Sequence, residues 1–186
     1  GVMGALATRG ELVERLGGGM GDEGGRVRGL VRAVVRTRAS RRSSGPDGQE
    51  ARDPQNLLLH RRPIRRLEAE PIRDAILAVS GRLDDTLYGP SVPIHLTDYM
   101  QGRGRPGSSG PLDGSGRRSL YIEVRRNFMA PMMLAFDTPS PFTTIGRRNV
   151  SNVPAQALIL LNDPFVIEQA ERWAERVLRD PGRTTN

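Results

Sequence analysis

The side chains able to do chemistry fall into two clusters and a few isolated positions. Glu68, Glu70 and Asp74 stand close together in "RRLEAEPIRDAILAVSGRLD". Two carboxylates in one site can divide general-acid and general-base work. Here Arg65, Arg66 and Arg73 are interleaved with them, and a salt-bridged helix face accounts for the pattern better. The second cluster surrounds "RRSLYIEVRR" and comprises Arg117, Arg118, Arg125, Arg126, Asp137, Arg147, Arg148 and Asn149. Guanidinium groups present paired donors, so this set could form an anion pocket for sulfated or carboxylated sugars. Its plainer reading is a buried ion-pair network holding an irregular 117–150 region, and that reading is favoured.

The isolated positions offer less. His60 and His95 are the only histidines. Either could ligate a haem in trans, but a histidine satisfied within its own fold is commoner. Ser91 and Ser151 lack the histidine and acid of a serine hydrolase. Met129, Met132 and Met133 read as flexible core filling rather than soft metal ligands. The chain has no cysteine. That excludes disulfides, thiolate zinc or iron–sulfur sites, a thiol nucleophile and covalent haem attachment. No catalytic and no metal-ligating residue is assigned, and no cofactor is expected in this chain.

Charge is concentrated. The chain of 186 residues carries a net charge of +7, and all 28 of its basic residues are arginine. Residues 26–42, "RVRGLVRAVVRTRASRR", hold seven arginines and no acid; the other 21 arginines balance 21 acids. Val27, Leu30, Val31, Val34 and Val35 recur at helical spacing, which predicts an amphipathic helix over 26–38. Arg28, Arg32 and Arg36 share one of its faces. That face is expected to attract polyanions weakly and without sequence preference. No aromatic residue interleaves these arginines, so base stacking has no platform. Nucleic acid is not the expected partner on this reading.

These groups need elements to hold them. "TRGELVERL" predicts a short helix over 10–16 that Thr8 would cap, broken by the glycines between Gly17 and Gly25. Asp53 is placed to cap a turn before Leu57. Pro71 suits the first turn of a helix ending at Gly81, with Ile72, Ile76 and Val79 as its buried stripe. Residues 101–116 carry six glycines, three serines and two prolines, which predicts a solvated, flexible loop. Alternation of Leu120, Ile122 and Val124 suggests a strand, with residues 91–96 as a pairing partner. Ser151 and Asn152 are candidate caps for a helix begun by Pro154, apolar almost all round and so expected to be buried. Asp163 and Pro164 open a final helix whose expected core stripe includes Phe165, Val166, Ala170, Trp173, Val177 and Leu178. Residues 151–180 sum to −2, which argues against a DNA-recognition helix.

The fold expected is therefore mainly α: an irregular helical domain with long polar loops and at most one small β element near residues 119–125. Residues 1–60 form a divergent helical N-terminal part, 61–180 a helical core, and 181–186 a disordered tail. No apolar stretch is long enough to span a membrane. The chain begins at Gly1 rather than Met, so it is expected to be a fragment whose targeting information lies upstream.

Five blocks in order carry a family resemblance: "RRLEAEPIRDAILAVSGRLD", "GPSV", "RRSLYIEVRR", "APMMLAFDTP" and "RRNVSNVPAQALILLNDPFVIEQAERWAERV". The chain resembles the planctomycete PSD-one family, a domain of unknown function at the C-terminal end of large surface proteins with cytochrome-c-type modules. The resemblance is close over 61–178 outside the 101–116 loop, and collinear from Thr8. It implies an extracytoplasmic location, other modules of a parent chain as partners, and haem c in upstream modules. It transfers no catalytic residue. The function expected is a non-catalytic accessory or interaction domain, with anionic-polysaccharide handling or polyanion binding as alternatives.

Overall fold

The computed structural model describes residues 10–22, 24–146 and 148–179. They form two compact units that divide between Arg66 and Leu67. The chain is helical, as expected, and no strand forms among the described residues.

The N-terminal unit holds α1, Gly10–Asp22, and α2, Val27–Arg36. Thr8 lies outside the described residues. The helix α1 runs through Gly17, Gly18 and Gly19 instead of breaking there. Each glycine costs a helix roughly 1 kcal/mol against alanine but does not forbid one. The chain turns at Gly24 and Gly25, whose φ of 67° and 74° favours glycine. Neither helix buries a residue. The loop beyond them is tied by its own polar groups. Asp53 accepts from the Leu57 and Leu58 amides at 2.8 and 2.7 Å, and Asn56 Nδ2 donates to the Arg61 carbonyl at 2.7 Å.

The C-terminal unit is built on α3, Ala69–Ser80. Glu68 stands at its N-cap, so Pro71 is the third helical residue, where the missing N–H still has no intrahelical role. Gly81 ends the helix with φ of 80°, as its position suggested. The buried stripe differs from the expected one. It comprises Ala69, Arg73, Leu77 and Ser80; Ile72 and Ile76 are partly buried and Val79 is exposed. The helix is rotated because Arg73 is drawn inward by backbone carbonyls described below.

Around α3 lie α4, Pro131–Ala135, α5, Pro154–Asn162, and α6, Pro164–Arg179. Ala69, Leu77, Met132, Phe136 and Phe165 make the main core. A second cluster joins Ile94, Leu96 and Phe128. Met132 fills core space as its flexibility suits it to do.

Three further expectations are corrected. Residues 119–125 do not extend into a strand. Asp74 accepts from both the amide and the hydroxyl of Ser119 at 2.7 Å, which curls Ser119–Tyr121 into a 3-10 turn. Pairing with the 91–96 segment survives as a single parallel bridge, Val92 to Ile122. The helix α5 buries Gln156 alone, and Leu161 is 72% exposed. Its cap residue is Val153; the Ser151 hydroxyl goes instead to Asp137 at 2.9 Å. In α6, Asp163 does cap the helix, accepting from the Phe165 amide at 2.9 Å. The apolar stripe is filled as far as Gln169, but Trp173 is 51% exposed and Val177 and Leu178 are open too. The carboxyl-terminal end of α3 faces this stretch, and Arg176 takes up its Ala78 and Val79 carbonyls, so no apolar neighbour covers the stripe there.

Candidate functional site

The polar residues of the C-terminal unit meet along one flank of α3. Arg73, one helical turn from both Ala69 and Leu77, is 7% exposed and lies inside the unit. Its guanidinium donates to the carbonyls of Arg117 at 2.9 Å and Asp113 at 2.7 Å, and to the Ser119 hydroxyl at 3.2 Å. The Phe165 ring lies 5.3 Å away. Burial lowers the arginine's pKa, offset in part by Asp74 and Asp113. The group stays charged nonetheless, as an arginine does in a folded protein. A buried charge persists only if its donors are used, and here the 113–119 backbone uses them. The end of the 101–116 loop is accordingly partly withdrawn from solvent: Asp113, Gly114 and Gly116 are buried. Gly114 has φ of 59°, and a Cβ there would collide with Arg73 and Ile122.

Beside this lock lies a cleft of about 690 Å³ whose walls include Glu68, Glu70, Asp74, Arg118 and Arg148. Arg148 bridges Glu70 at 2.7 Å and Glu68 at 3.0 Å. Burial pushes the Glu70 pKa up, but the Arg148 hydrogen bond, the residue's own backbone amide and the Arg148 charge together outweigh it and hold the carboxyl below its usual range. Arg118 lies 3.6 Å from Asp74. The salt-bridged reading of these acids therefore holds: Arg73 lies 3.9 Å from Asp74, and Arg118 and Arg148 join from far along the chain.

The residues named for a possible anion pocket are spread over several places among the described residues. Arg118 and Arg148 share the cleft with three carboxylates. Arg117 stacks over the Tyr121 ring at 4.1 Å and donates to the Tyr88 carbonyl at 2.6 Å. Arg125 pairs with Glu123 at 2.8 Å. Arg126 and Asn149 are exposed, Asp137 binds Ser151, and Arg147 lies outside the described residues. Arg28, Arg32 and Arg36 are exposed along α2 in the other unit. Among the described residues, no three His, Asp or Glu side chains gather as metal ligands would. No helix among them is long and apolar enough to cross a membrane.

The opposite flank of α3 is different. Ala75, Ile76 and Val79 of α3, Leu160 of α5, and Val166, Ala170 and Trp173 of α6 line a groove of about 360 Å³. Gln169, 1% exposed, forms part of the lining. Its Oε1 accepts from Ser80 at 2.8 Å, while its Nε2 has no partner among the described residues. Sequence reasoning missed Arg73 and Gln169 as buried groups. The available signal was their spacing: each occupies a turn of the helix between apolar residues.

A family model, PSD1, protein of unknown function (DUF1553), matches residues 1–185. The chain belongs to the PSD1 family. No curated protein and no solved structure matches it. Membership in PSD1 brings no catalytic set, so the residues of this PSD1 chain must speak for themselves. In the cleft, the charged groups are largely spent on one another. In the groove, apolar surface and one amide donor are unspent.

Proposed function

We propose that this PSD1 chain is a non-catalytic interaction domain that receives another module of its parent protein in the groove between α3, α5 and α6. The carrying observation is the half-exposed Trp173 above an apolar floor, in a unit whose neighbouring helices leave that floor uncovered. Apolar surface of this kind gains free energy when a partner removes it from water. Half-buried tryptophans are also common anchors of interfaces. The resemblance to the planctomycete PSD-one domain supports an extracytoplasmic setting in which cytochrome-c-type modules of the parent protein carry the haem. Electron transfer would then belong to those modules and assembly to this one.

Trp173 is the sole tryptophan, so its fluorescence reports on the groove directly. Titration with the upstream modules of the parent protein is expected to give a saturable blue shift. Val79→Asp is expected to remove it. A spectrum unchanged through the titration, with the chain folded by circular dichroism, overturns the reading.

A further inference from the structure

The N-terminal unit presents a different surface. The helix α2 buries none of its residues. Val27 is 64% exposed, and Val31, Val34 and Val35 are open as well. At 100° per residue, Val27, Leu30, Val31, Val34 and Val35 occupy an arc of about 140°, and Arg28, Arg32 and Arg36 the next arc of about 80°. None of these three arginines is paired with an acid among the described residues. Arg38, Arg41 and Arg42 continue the basic run after the helix, and no acid occurs in 26–42.

We infer that α2 lies on an anionic lipid surface, its valine arc in the headgroup–acyl boundary and its arginines on the lipid phosphates. Charge complementarity selects an anionic partner. The exposed valines select between anionic partners. A nucleic acid or sulfated polysaccharide would engage the arginines and leave the valine arc in water. A bilayer interface takes up both arcs at once, as it does for interfacial amphipathic helices. The arginines adjoin the apolar arc instead of opposing it. Their long aliphatic stems let the charges rise to headgroup level from there. This places α2 along the interface, not across the bilayer.

The test is flotation of the full chain with vesicles of phosphatidylcholine alone and of phosphatidylcholine mixed with phosphatidylglycerol. Binding is expected on the mixed vesicles and not on the neutral ones. Changing Arg28, Arg32 and Arg36 together to Gln is expected to weaken binding roughly a hundredfold. Changing Val31 and Val35 together to Ser keeps the charge and is expected to weaken vesicle binding roughly tenfold. The same serine variant should bind heparin as the unaltered chain does. All five positions are exposed, so helix content by circular dichroism should be retained. If the serine variant floats as well as the unaltered chain, the valines take no part and the surface is a polyanion site. Equal flotation with neutral vesicles, or no loss in the glutamine variant, also overturns the inference. The groove at Trp173 belongs to the other unit, so its failure and this one are read separately.

Discussion

The two units are held together by opposite means. In the N-terminal unit the buried residues among those described are Asp53 and Asn56, and no apolar side chain is buried there. Its loop is a set of side-chain bonds to backbone groups. The C-terminal unit buries phenylalanines, leucines and methionine around α3 and adds Arg73 at the centre. The difference shows what an apolar stripe is worth in each place. On α3 the face of Ala69, Arg73, Leu77 and Ser80 is spent inside the unit, while Val79 stays open beside the groove. On α2 a stripe of equal regularity is unspent, which leaves it for a surface outside the chain.

The largest break in this comparison should come from Arg73→Ala. It would leave the Arg117 and Asp113 carbonyls and the Ser119 hydroxyl without their buried donor. Removing one member of such a buried charged network costs about 3–5 kcal/mol. Urea melts should show it, with Arg126→Ala as an unaffected control. A loss below about 1 kcal/mol would mean that Arg73 is solvated and the lock does not exist.

A smaller effect is expected from Trp173→Ala. A half-exposed ring contributes about 1 kcal/mol to the isolated chain, by the area it buries. The same substitution should abolish the partner-dependent response of the groove, followed by calorimetry since the fluorophore is gone. A cost of about 4 kcal/mol would make Trp173 a core residue and remove the groove.

The smallest effect sharpens the picture of the N-terminal unit. His60 places Nδ1 2.8 Å from Asp47 and Nε2 3.1 Å from the Asp53 carbonyl. Both neighbours are acceptors, so the imidazolium satisfies both and the neutral ring only one. Burial lowers the His60 pKa; the bonds to Asp47 and Asp53 outweigh it and raise the value above 6.5. A raised folded pKa means the stabilisation is complete below the unfolded value near 6.5 and is lost as pH rises through the folded one. The protection of the Leu57 and Leu58 amides, taken relative to the intrinsic exchange rate at each pH, should therefore fall as pH rises through the His60 value. Equal protection on both sides of that value would show that the ring does not clasp the loop.

Much of this was legible in the sequence where local chemistry decides. The stop at Gly81, the cap by Asp163 and the helix begun by Pro154 depend on one or two residues each. The α2 stripe was legible for the same reason. What could not be read was decided by distant neighbours. The spacing of Arg73 between Ala69 and Leu77 sets it on the inner face of the helix, but nothing local shows that carbonyls forty residues on will receive it. The alternation of Leu120 to Val124 reads as a strand until Asp74 captures Ser119. Trp173 reads as core because its spacing is right; what is missing is a neighbour to cover it. Of the candidate site, residue types were visible and pairings were not. The Arg148 bridge to Glu70 spans 78 positions of chain.

The bonds made by Arg73 have one more consequence. They join positions 40, 44 and 46 apart, with the whole 81–112 segment lying between. Closing that segment costs chain entropy before any of the three bonds can repay it. The central fastening of the C-terminal unit can therefore close only after that segment has folded back onto α3. Contacts made late weigh on how long the folded state lasts more than on how quickly it is reached. The arginine is in effect a latch that sets the lifetime of the surface presented on the far side of the same helix.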